Sequence, residues 1–78
     1  MTLSRGEALQ TANKLRRTMG SAPDPRRQAQ TIYSELARVE DWSASDQRHI
    51  LAFGQWLATR PPLNALKAKA EGLLEGLG

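Results

Sequence analysis

Gly20-Ser21-Ala22-Pro23-Asp24-Pro25 reads as the end of one helix and the start of the next. Glycine tolerates the left-handed conformation that follows a last helical turn, so Gly20 is a stop signal. Asp24 offers a short carboxylate to the unpaired N–H groups of a first turn. Pro25, with φ preset and no N–H to lose, suits the first helical position. The same grammar recurs on both sides of this stretch. Ser4 is followed three residues on by Glu7, Ser43 is followed three residues on by Asp46, and Pro61-Pro62 opens the last segment. Four starts in 78 residues predict an all-α fold: a compact bundle of four short helices over residues 5–19, 25–40, 44–59 and 62–77, in a single domain covering 1–78.

The segments between these signals carry helical periodicity. In the first, Ala8, Ala12, Leu15 and Met19 align on one face with Leu9 beside them, a thin stripe of small residues. In the second, Ala29, Ile32, Tyr33, Leu36 and Val39 oppose Arg27, Thr31, Ser34 and Arg38. The third has the widest apolar arc, Ile50, Leu51, Phe53, Trp56 and Leu57 with Gly54 and Ala58, which predicts a central helix. Gly54 inside that arc predicts close approach by a neighbour. In the fourth, Leu63, Leu66, Ala70, Leu73 and Leu77 follow a heptad seam, with Leu74 adjacent. Trp42, between the second and third helices, is expected to cover the end of the core. Apolar residues seldom alternate, so strands are not expected.

Composition narrows the chemistry. Without cysteine there is no disulfide, thiolate metal site or thiol nucleophile. No apolar run approaches the ~20 residues of a membrane span, and Met1–Arg5 leads into no apolar stretch of the signal-peptide kind. A cytoplasmic protein with no membrane contact is the expectation. The only histidine is His49, with Asp46 one helical turn before it. No nucleophile, phosphate loop or metal-ligand spacing accompanies it, so no enzyme, metal or cofactor is expected. The plain reading of His49 is a surface side chain near a capping acid.

Three features remain. The net charge of +3 is uneven: residues 1–27 hold six cations against two anions, the remainder five against six. If the first two helices form a hairpin, Lys14, Arg16, Arg17, Arg26 and Arg27 gather around its loop, a candidate site for an anion or nucleic acid. No aromatic interleaves them for base stacking. Arg26 and Arg27 also stand at a helix N-terminus, where the dipole disfavours cations. A helix-turn-helix reading of residues 32–51 would make Gln47 and Arg48 base readers, but it would turn Glu40, Asp41 and Asp46 toward phosphate. The second feature is the flank of the third helix, where His49, Phe53, Trp56 and Arg60 form a candidate partner-binding edge. The alternative is that the fourth helix covers it. The third feature is Ala68, Gly72 and Gly76, a small-residue ridge that permits helix contact between two copies or, alternatively, marks a fraying end.

The expected function is that of a non-enzymatic interaction protein, an inhibitor, adaptor or small subunit that binds a larger protein or complex through the aromatic flank. Small cysteine-free helical domains occur among phage-encoded inhibitors of host machinery, an association of size and class only. Nucleic-acid binding through the basic hairpin is the alternative, and a homodimer through the fourth helix the further partner reading.

Overall fold

In the computed structural model, residues 4–77 are described; Met1–Leu3, on which the signal-peptide reading largely falls, and Gly78 lie outside them. The described residues form four helices and no strand: α1 (Arg5–Thr18), α2 (Pro25–Ala37), α3 (Ala44–Ala58) and α4 (Leu63–Gly76). The caps are the expected ones. Ser4 Oγ accepts from Glu7 N at 3.2 Å, Asp24 Oδ1 from Arg27 N at 3.1 Å, and Ser43 Oγ from Asp46 N at 3.1 Å. Each replaces a partner the first turn lacks. Pro62 precedes α4 in extended geometry and makes no side-chain cap.

The helix ends differ from expectation in two respects: α2, expected to reach residue 40, ends at Ala37, and Gly20 is not a left-handed stop. Gly20 does not adopt a positive φ. Instead α1 tightens into a 3₁₀ turn over Met19–Ser21, closed by Ala22 N donating to Met19 O at 3.2 Å. The tighter winding satisfies carbonyls that a left-handed glycine would otherwise serve. α2 reaches in to complete the end. Gln28 Nε2 donates to the Leu15 carbonyl at 2.8 Å and to Thr18 Oγ1 at 2.6 Å. At the other end of α2, Trp42 Nε1 donates to the Leu36 carbonyl at 2.8 Å. Its ring packs on the core, as expected.

The core is a single cluster. Ala8, Ala12 and Met19 come from α1 and its 3₁₀ turn, Ala29, Ile32 and Leu36 from α2, with Val39 just beyond. Ile50, Phe53 and Leu57 come from α3, and Leu66, Ala70 and Leu74 from α4, closed by Leu77. The expectation of a central third helix is corrected: α2 and α4 each pack against the other three, α2 most extensively, whereas α3 packs on α2 and α4. The reason is size at the contacts. Ala8, Ala12 and Ala29 are all 0 % exposed and let α1 and α2 come close together, which makes theirs the most extensive helix contact. The wide arc of α3 is only half used, and Leu51 remains 49 % exposed. Leu63, assigned to the α4 seam by its spacing, is 56 % exposed, while Leu74 beside the seam is buried. The radius of gyration, 11.6 Å, matches the ~11.5 Å expected of a globular chain this long.

Candidate functional site

The flank of α3 does not form a flat aromatic patch. Phe53 is 2 % exposed and belongs to the core, which removes it as a free contact residue. Trp56 is half-buried and stacks on Phe53, with ring centroids 5.9 Å apart at 27°. His49 and Arg60 are exposed. Arg60 terminates α3 at φ 55°, an uncommon conformation for a side chain with a Cβ. Its N–H still donates to the Leu57 carbonyl at 3.1 Å.

Between α3 and α4 lies a groove of about 290 Å³. His49, Ala52 and Phe53 form one wall, and Ala68, Lys69, Gly72, Leu73 and Gly76 form the other. Two features that the sequence left separate, the α3 flank and the small-residue ridge of α4, are thus the two sides of one depression. The ridge is open: a Cβ added at Gly72 or Gly76 meets nothing within 4 Å. α4 stays wound through Gly76, and Leu77 is 5 % exposed with its N–H donating to Leu73 O at 3.2 Å. Lys69 Nζ stands 5.6 Å from the Trp56 ring centroid and bridges the walls at the end nearer the α3–α4 link. Such a cation–aromatic contact is worth about 0.5–1 kcal/mol at an exposed site. Lys69 and His49 are the only ionisable side chains among the described residues of the lining.

Lys69, Ala52 and Leu73 were not legible as site residues. Each is unremarkable within its own helix, and only the packing of α4 on α3 places them together. The one available signal was that Lys69 follows Ala68 on the ridge side of α4.

The basic hairpin divides. Arg16 turns to α4, 3.7 Å from Glu71, and its Nε donates to Asn13 Oδ1 at 3.3 Å. Arg26 Nη2 donates to the Pro61 carbonyl at 2.8 Å, so this cation at a helix N-terminus holds the α3–α4 link. Lys14, Arg17 and Arg27 remain exposed. The hollow beside them, lined by Leu15, Pro23, Asp24, Arg27, Gln28 and Thr31, contains the Asp24 carboxylate, which opposes an anion. Gln47 and Arg48 are exposed on α3. Asp41 is 3.5 Å from Arg5, and Asp46 makes no ion pair with His49 among the described residues.

Among the described residues, no three His, Asp or Glu side chains gather as a metal would require, and no helix is long and apolar enough to cross a membrane. No family model, curated protein or solved structure matches the chain.

Proposed function

We propose that this protein is a non-enzymatic interaction module that binds a larger protein through the α3–α4 groove. The observation that carries the reading is the groove itself. It has an apolar floor at Phe53, an open small-residue wall at Gly72 and Gly76, and a polar rim at His49 and Lys69. Apolar concavities with a few polar groups at the edge are the usual form of a recognition site. Trp56, stacked on Phe53 and next to Lys69, borders it and belongs to a residue type enriched at binding hot spots. As an inhibitor, adaptor or small subunit, the module needs no chemistry of its own, only a rigid surface.

Nucleic-acid binding has weaker support. Two of the five cations that suggested it, Arg16 and Arg26, are engaged within the chain. The test is capture of partners from a source-cell lysate on immobilised protein, with and without nuclease, alongside a Lys14→Glu, Arg17→Glu, Arg27→Glu variant. A stoichiometric protein partner that survives nuclease and binds the charge-reversed variant is the expected result. Recovery of nucleic acid alone, lost on charge reversal, overturns the reading in favour of the basic hairpin.

A further inference from the structure

We infer that one end of the bundle is a binding surface for the phosphate backbone of a nucleic acid, separate from the α3–α4 groove. The topology sorts the charge. Gln28 of α2 donates to Leu15 and Thr18 of α1, and Arg26 of α2 donates to Pro61 in the α3–α4 link. The α1–α2 loop and the α3–α4 link therefore share one end. That end collects Lys14, Arg17, Arg26 and Arg27 from the first corner, and Arg60 and Lys67 from the second. Lys69 reaches it over the Trp56 ring. Among the described residues Asp24 is the only carboxylate there, and it is engaged as a cap by Arg27 N. Arg16 and Glu71 pair with each other and cancel. The basic end thus holds seven cations against one carboxylate. The opposite end, where Arg5 meets Asp41, holds the other three cations against the other six carboxylates. The linear sequence hides this separation, because Arg60, Lys67 and Lys69 stand in the part of the chain that carries a net negative charge.

This surface suits phosphates better than a protein face or a bilayer. Protein interfaces have an apolar core depleted of lysine, and stable contact with a membrane surface needs apolar side chains to insert. Among the described residues Leu63 is the only large apolar side chain left exposed at this end. Four of the seven cations are arginines, whose forked donors match phosphate oxygens. Each phosphate they neutralise releases bound counterions, which drives association. Trp56 is half-buried beneath Lys69 and offers no open ring for base stacking. The contact is therefore to the backbone, without reading of sequence.

The test follows the fluorescence anisotropy of a short labelled DNA duplex and a short labelled RNA strand with the full chain across a salt series. Two variants of equal net charge are compared: Arg17→Glu with Lys67→Glu at the basic end, and Arg38→Glu with Arg48→Glu at the other. All four residues are exposed, and circular dichroism checks each fold. The molecule is 30 Å long, about three screening lengths at 0.1 M salt, so position should matter and not net charge alone. The expected result is wild-type affinity that falls with log salt at a slope of roughly −3 to −4, as four neutralised phosphates give. Arg17→Glu with Lys67→Glu should weaken binding about tenfold or more and flatten the slope by about 2. The opposite pair should stay within about threefold of wild type. Tighter binding of the duplex or of the strand names the source of the phosphates. Where charge reversal disturbs the fold, Arg17→Gln with Lys67→Gln makes the same comparison. Equal losses from both pairs, or no binding at low salt, overturn the inference. So does displacement by poly-glutamate as effective per charge as by duplex, which assigns the end to an acidic protein, or binding only to vesicles of phosphatidylserine and phosphatidylcholine. None of the four substituted residues lines the groove, so partner capture decides the docking reading separately.

Discussion

Tyr33 of α2 lies against Gly54 of α3 so closely that a Cβ placed at position 54 would stand 2.5 Å from two atoms of the tyrosine ring. The absence of a side chain at Gly54 is what lets the half-buried ring settle between the helices. Alanine normally gains about 1 kcal/mol over glycine inside a helix. Here that gain is offset by displacement of the ring. Gly54→Ala alone should therefore leave stability nearly unchanged or lowered, whereas the same substitution in a Tyr33→Ala background should stabilise by about 1 kcal/mol. Urea unfolding of the four chains of this double-mutant cycle measures the coupling. Equal effects in both backgrounds contradict the contact.

Arg26 and Arg27 are neighbours in sequence with different duties. Arg26 donates to the Pro61 carbonyl from a partly buried position, and a hydrogen bond from a charged group contributes about 1.5–3 kcal/mol. Because Arg26 Nε is buried without a partner among the described residues, which offsets part of that gain, Arg26→Ala should cost less than the full range, about 1 kcal/mol. Arg27 is exposed, and Arg27→Ala should stay within about 0.5 kcal/mol of wild type. Chemical denaturation of the two variants decides the matter. Equal losses would mean that the link between α3 and α4 does not depend on Arg26.

The left-handed backbone at Arg60 gives a prediction of opposite sign. A residue with a Cβ pays about 1–2 kcal/mol there, and glycine gives back part of that gain through its freer unfolded chain. Arg60→Gly should raise stability by up to about 1 kcal/mol, read as a higher thermal midpoint. A loss would show that the arginine side chain itself supports the turn.

The caps, the four helices and most of the core stripes were legible because each depends on neighbours within one turn. Ser4, Asp24 and Ser43 need only their own N–H partners three residues on. The centre of the bundle was not legible. Arc width on α3 suggested it, but alanines at 8, 12 and 29 decide which helices approach most closely, and small residues are quiet in a hydrophobicity pattern. The site was half legible for the same reason. His49 and the Gly72 ridge were each visible, but their meeting across a groove is a tertiary fact. Arg16 and Arg26 read as part of an anion cluster because their partners, Glu71 and the Pro61 carbonyl, lie 55 and 35 residues away.

Phe53 and Trp56 also separate by burial. Phe53→Ala empties a core position, at a cost of about 3–5 kcal/mol, which is comparable with the whole stability a domain of this size commands. That chain should be largely unfolded by circular dichroism at 25 °C. Trp56, half-buried at the rim, should be replaceable by alanine with the fold retained. A folded Phe53→Ala protein would place Phe53 outside the core.

If a partner protein docks in the α3–α4 groove, Gly72→Leu should block it. The new side chain meets no neighbour at its Cβ, and leaving glycine in a helix gains about 0.8–1 kcal/mol. The variant should therefore be at least as stable as wild type while its groove is filled. The measurement is parallel capture from nuclease-treated lysate on wild-type and Gly72→Leu protein, quantified by mass spectrometry, with unfolding curves for both. A stoichiometric protein partner should be captured on wild type and be absent from an equally stable Gly72→Leu. The same partner retained in full by the filled groove would contradict docking there.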